Sequence, residues 1–134
     1  MNNQVLISEE PVFPHIEKYG VVYPYPAHVN KFPEDVIRRI VFSITKPASR
    51  VDFVSPGLNA IARLLNIYEY EQISYKRYSI AAIIYGDATP IVLKDEYYRE
   101  KFFIENPNIE LISKLKASRV KLLACWQSMQ DNNY

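Results

Sequence analysis

Ser79-Ile80-Ala81-Ala82-Ile83-Ile84-Tyr85 runs straight into Gly86-Asp87-Ala88. The run is almost wholly apolar, rich in isoleucine, and closed by one of only three glycines in the chain. That character predicts a short strand buried on both faces. Two other stretches read the same way. Upstream, Arg38-Arg39-Ile40-Val41-Phe42-Ser43-Ile44-Thr45 is β-branched and apolar on successive positions. Downstream, Arg119-Val120-Lys121-Leu122-Leu123-Ala124-Cys125-Trp126-Gln127-Ser128 predicts a strand over Val120–Ala124 that delivers the only cysteine to its carboxyl end.

Helical signals fill the gaps. Ser55-Pro56-Gly57 predicts a helix start, with Ser as N-cap and Pro at the first helical position. Leu58, Ile61, Ala62, Leu65 and Tyr68 then recur at helical spacing to about Tyr70. After the central strand, Thr89-Pro90 opens a short helix through Leu93, and Asp95 caps another to about Phe103. Asn106-Pro107 caps a third main helix, with Ile109, Ile112 and Leu115 on one side and Lys114, Lys116 and Arg119 near its C-terminal end. Three buried strands separated by helices predict an α/β fold with a mainly parallel sheet and right-handed crossovers.

The first 34 residues differ. They hold five of the nine prolines, and Tyr23-Pro24-Tyr25-Pro26 is held extended by proline stereochemistry. Residues 1–34 therefore read as an irregular Pro-rich arm over the domain of residues 35–134, anchored by Val12, Phe13, Tyr19, Val22 and Tyr23. PxxP spacing is missing around Tyr23-Pro24-Tyr25-Pro26, which argues against a polyproline ligand there.

Composition bounds the function. A chain of 134 residues, 49% apolar and 23% charged, is long enough for one core. A formal net charge of +1 gives no field for nucleic acid or an anionic membrane. One cysteine makes no internal disulfide, and with only His15 and His28 there is no cysteine- or histidine-based metal site. No glycine-rich phosphate loop or other cofactor motif occurs. No apolar run approaches a membrane span, and Met1-Asn2-Asn3-Gln4 lacks a signal-peptide pattern, so the chain reads as cytoplasmic.

In a parallel sheet the ends carrying Thr45, Gly86 and Cys125 share the carboxyl edge, where open α/β folds place ligands. Cys125 is thus the candidate reactive residue. A helix beginning at Trp126–Ser128 would lower its pKa, and Lys46 or Arg50, in the loop leaving the first strand, would supply a cation. The plainer alternative is a small buried cysteine without reactivity. A Cys-His pair has no evident second member, because both histidines fall in the arm.

Four segments together resemble the DsrE/DsrF-like family. They are Pro56-Gly57-Leu58-Asn59-Ala60-Ile61-Ala62-Arg63-Leu64-Leu65-Asn66, Ile83-Ile84-Tyr85-Gly86-Asp87-Ala88-Thr89, Asn106-Pro107-Asn108 and Ala124-Cys125-Trp126-Gln127-Ser128. The resemblance covers roughly residues 39–128 and is nearest to the uncharacterised single-domain branch. It implies a YchN-like three-layer α/β sandwich and a homo-oligomer, trimer or hexamer. In sulfur-relay members a cysteine at the Cys125 position carries a persulfide between donor and acceptor proteins. The pocket expected around Cys125 comprises Lys46, Arg50, Tyr85, Gly86, Asp87, Ala88, Trp126 and Gln127. Tyr85-Gly86 stands where close relatives have His-Gly, and Cys125-Trp126-Gln127 where they have Cys-Gly-Gln. The family's further strand and helix after this point have no counterpart before Tyr134. A non-catalytic oligomeric binding module on the same scaffold is the alternative function.

Overall fold

A computed structural model describes residues 10–26, 33 and 35–134. Three parallel strands, β1 (Arg38–Ile44), β2 (Tyr78–Ile84) and β3 (Lys121–Ala124), pair in the order β1-β2-β3. Ile40 lies opposite Ile80, Ile44 opposite Ile84, and Ile84 opposite Ala124. The β1–β2 crossover contains α1 (Pro56–Tyr70). A 3-10 segment (Gly86–Val92), α2 (Asp95–Phe102) and α3 (Ile109–Ala117) connect β2 to β3, and α4 (Trp126–Asp131) follows. The chain is therefore an α/β protein, as its alternating pattern predicts. No helix among the described residues is long and apolar enough to cross a membrane.

Local chemistry explains most boundaries. Ser55 Oγ accepts a hydrogen bond from the Leu58 amide at 3.2 Å, and Pro56 occupies the first helical position. Both are the expected N-terminal devices. The α3 boundary differs from expectation. Asn108, not Asn106, precedes the helix, and its side chain caps nothing. Instead Asn108 Oδ1 accepts from the Ser55 amide at 2.7 Å, and Asn106 Nδ2 donates to the Ile91 and Leu93 carbonyls. Both asparagines are buried, so their bonds tie the 3-10 segment, the start of α1 and the start of α3 together. Asp95 likewise lies inside α2 rather than capping it; its Oδ1 accepts from the Asn106 amide at 2.8 Å.

The core occupies one side of the sheet. Ile44, Ile80, Ala82 and Ile84 pack with Leu58, Ile61, Ala62 and Leu65 of α1 and with Leu111 and Leu115 of α3. The opposite face is open: Val41 is 65% exposed, Ile83 38% and Leu123 53%. The strands are therefore buried on one face only, and the three-layer sandwich has two layers over the described residues. Topology gives the reason. The strand order never reverses, so right-handed crossovers put both connections on the same side.

The arm lies over that covered side. Val12 and Val22 exchange backbone hydrogen bonds of 2.8 and 2.9 Å, and Ile16 and Val22 are buried. Tyr19 packs at the margin of the core, whereas Phe13 and Tyr23, read as anchors, are exposed. The main anchor is Asn66 of α1, which is fully buried. Its Oδ1 accepts from the His15 and Ile16 amides at 2.8 and 2.6 Å. Its Nδ2 donates to the carbonyls of Ile16, Tyr19 and Gly20. Gly20, at φ +66°, lets the arm press on α1; a Cβ there would fall 2.1 Å from the Arg63 amide nitrogen.

Asn66→Ala strands several buried backbone groups of the arm at once. We expect a loss of about 2–4 kcal/mol in chemical denaturation, with protease cleavage appearing first within residues 10–26. Gly20→Ala should give the same cleavage pattern. Unchanged cleavage in both variants would mean that something other than Asn66 holds the arm.

Candidate functional site

The carboxyl edge of the sheet gathers the predicted residues around two loops. Backbone pairing continues one step past each strand: the Tyr85 amide donates to Ile44 O at 3.1 Å and the Cys125 amide to Ile84 O at 3.0 Å. Cys125 is therefore fixed by the ladder, half-exposed, immediately before α4. Gly86 turns the chain at φ +60° after β2. Thr89, fully buried, donates from Oγ1 to Gly86 O at 2.7 Å and holds that turn.

Ser128 connects the two loops. The Gly86 amide donates to Ser128 Oγ at 3.0 Å. The amide and hydroxyl of Ser128, with the Gln127 amide, hold the Cys125 thiol below the usual thiol range; desolvation and, more weakly, Asp131 oppose them. The sulfur closes no full capping hydrogen bond, so these donors act on it as oriented dipoles. Ser128 Oγ thus ties the Gly86 turn to the helix start that carries the thiol. The result is an accessible sulfur biased toward thiolate, the form that attacks electrophiles.

The predicted pocket residues divide. Gly86 reaches the thiol through Ser128, and Gln127 acts on it through its amide. Trp126 is 66% exposed beside Cys125, so its ring stands out into solvent. Tyr85 lies at the same edge, but its hydroxyl pairs with Ser43 Oγ at 3.3 Å. Lys46 and Arg50 do not act as the expected cations. Lys46 is exposed in its loop, and Arg50 is held by Asp52 through bonds of 2.9 and 2.7 Å while lying over the Phe53 ring. Among the described residues, the charge that acts on the thiol is the unfavourable Asp131. Asp87 and Ala88 line a separate cavity of about 270 Å³ with Arg50, Phe53 and Tyr98. The Ala88 amide is spent on Tyr85 O, so it offers no donor to a ligand at the sulfur.

Ser128 is the residue that sequence reasoning passed over. Its signal was present: Cys125 precedes the helix and Ser128 is the third residue in, the spacing at which N-terminal side chains and amides meet. His15 lies with Ser118, which precedes β3, whereas Cys125 follows β3, so His15 is no partner for the thiol. His28 lies outside the described residues.

Comparison of the chain with protein-family models, with curated proteins and with solved structures finds no match.

The lowered thiol pKa gives a direct check. The pH midpoint of iodoacetamide alkylation of the folded chain should lie below that of the urea-unfolded chain. Ser128→Ala should move the folded midpoint upward and slow alkylation a few-fold at pH 7. A midpoint unmoved by Ser128→Ala would remove Ser128 as the activating group.

Proposed function

We propose that this chain is a DsrE/DsrF-like α/β protein in which Cys125 accepts sulfane sulfur as a persulfide and passes it to an acceptor. The observation that supports it is the Gly86–Ser128 contact beside a half-exposed, thiolate-biased sulfur at the carboxyl edge. The step follows thiol–disulfide exchange. The Cys125 thiolate attacks the terminal sulfur of a donor persulfide, forming a new S–S bond. The donor's S–S bond breaks and the donor leaves as a thiolate. Cys125 is oxidised to the persulfide level, the donor sulfur is reduced, and no outside oxidant is required. Delivery to an acceptor thiolate reverses the step, with Cys125 as leaving group.

Among the described residues the site carries no general base for proton chemistry. Sulfur exchange needs none once the thiolate has formed, because the leaving thiolate departs without a proton. The persulfide anion at Cys125 would face the same Ser128 and Gln127 donors.

A second reading has its own observation. Val41, Ile83 and Leu123 make an open apolar face on a parallel sheet, a kind of sheet ordinarily covered on both sides. That favours a non-catalytic module whose face packs against further copies, the trimer or hexamer implied by the resemblance.

Incubation with a small persulfide donor, followed by persulfide-selective labelling and mass spectrometry, separates the readings. The sulfur-carrier reading expects one added sulfur on Cys125, transferable to an added thiol, absent in Cys125→Ser and slower in Ser128→Ala. Equal label on wild type and Cys125→Ser would end it. The module reading expects no transferable sulfur but an oligomer that dissociates in Val41→Lys or Leu123→Lys, read by light scattering.

A further inference from the structure

At the amino edge of the sheet, away from Cys125, three side chains from distant parts of the chain converge. His15 Nε2 lies 2.8 Å from Ser118 Oγ, and His15 Nδ1 lies 3.8 Å from Glu69 Oε2, an ion-pair distance rather than a hydrogen bond. His15 comes from the arm, Glu69 from the last turn of α1, and Ser118 from the end of α3. We propose that Ser118 is a nucleophile with His15 as its general base and Glu69 as the positioning residue, a second site that cleaves short-chain acyl esters.

The constellation is held from behind. The His15 and Ile16 amides are both clamped by buried Asn66, so the imidazole leaves a fixed backbone. Arg119 follows Ser118 in the left-handed region at φ +69°, and the Val120 amide closes back on Leu115 O at 3.0 Å. This tight turn ends α3 and presents Ser118 before β3 begins. For His15 Nε2 to accept from the Ser118 hydroxyl, Nδ1 must carry the ring proton and point it at Glu69, the orientation that the ion-pair contact favours. Nucleophile, base and orienting carboxylate in this order are the general form of such sites.

Space for a substrate lies next to Ser118. A cavity of about 130 Å³ is lined by Ser118, Arg119, Val120, Tyr75, Tyr78 and Ile80. Its small volume and apolar floor suit a short acyl group, with the leaving group directed to solvent. The amides of Ser118, Arg119 and Val120 are all bonded to α3 carbonyls, so none is free for an oxyanion. That duty falls to the other donors of the cavity. The Arg119 guanidinium is held 3.6 Å above the Tyr75 ring. Burial, and after it the nearby Glu69 and Tyr68, push the Tyr78 phenol above its usual range, with Arg119 acting the other way. Each is a donor of the kind that stabilises developing oxyanions.

The step balances without a cofactor. Ser118 Oγ bonds to the acyl carbon as its proton passes to His15 Nε2, and the carbonyl pair moves onto oxygen. The intermediate collapses, the C–O bond to the leaving group breaks, and the departing alkoxide takes the proton from His15. Water, deprotonated by His15, then cleaves the acyl-serine to carboxylate and regenerates Ser118.

The test uses the full chain carrying Cys125→Ser, so that the thiol contributes nothing. A fluorophosphonate probe followed by peptide mass mapping should place the adduct on Ser118. p-Nitrophenyl acetate should be hydrolysed catalytically. His15→Gln should slow both reactions about 100-fold or more, and Ser118→Ala should abolish them. Glu69→Gln should lower kcat while leaving KM unchanged. The adduct on the parent protein does not depend on how any variant at this site folds. Absence of a Ser118 adduct, or a His15→Gln protein with circular dichroism like the parent's that reacts as fast as the parent, would overturn the proposal.

Discussion

The strand order β1-β2-β3, advancing without reversal, constrains everything else in this chain. Parallel neighbours need long crossovers, and crossovers of one hand advancing in one direction fall on one face. That face receives α1 and α3 and becomes the core; the other stays open along Val41, Ile83 and Leu123. The same constraint sorts chemistry between the two ends. Every strand exit, and so Gly86 and Cys125, lies at the carboxyl edge, while strand entries, with Ser118 and Tyr78, lie at the amino edge. At about 3.3 Å per residue the seven residues of β2 separate the edges by roughly 20 Å. The thiol and the imidazole of His15 therefore belong to different sites.

Much of this was legible in the residues. Ser55-Pro56 marked the start of α1 because capping is local chemistry, and the apolar stripe from Leu58 to Tyr68 was read correctly because helical periodicity repeats over fifteen residues. Strand positions were equally readable, but their burial was not. In Ile40-Val41-Phe42 and Ile83-Ile84, apolar residues occupy both faces, so alternation cannot show which face is covered. Only the topology decides that. The asparagines misled for a related reason. Asn106 and Asn108 precede a helix as caps do, yet long-range partners claimed their side chains, and nothing in local sequence announces a bond between Asn108 and Ser55.

The candidate site shows the same division between local and distant information. Cys125 and Gly86 were found because strand ends are readable and a parallel sheet aligns them. Lys46 and Arg50 were assigned by proximity in sequence, and Asp52, two residues from Arg50, is a nearer partner than the sulfur. Asn66 lies off the apolar stripe of α1 formed by Leu58, Ile61, Ala62, Leu65 and Tyr68. It is off the stripe because it faces the arm, whose contact with α1 spans about fifty residues of chain. His15 belongs to that arm, and its neighbours Glu69 and Ser118 come from two other elements.

The position of Tyr85 bears on what kind of chemistry the thiol can do. An imidazole at that edge would offer both a base and a cation; the Tyr85 hydroxyl is paired with Ser43 and offers neither. The thiolate is then favoured by the dipoles of Ser128 and Gln127 rather than by a cation among the described residues. The distinction matters because lowering a thiol pKa makes it a better leaving group while weakening it as a nucleophile. A proton-transfer enzyme gains little from that exchange. A carrier that must both accept and surrender a sulfur gains on the second step what it loses on the first. Dipoles also remain in place when the charge moves from the thiolate to the outer sulfur of a persulfide, whereas an imidazolium could lose its proton to the leaving group. Among the described residues this edge has Ser128 and no histidine, which supports the proposed reversible S–S exchange over hydrolysis.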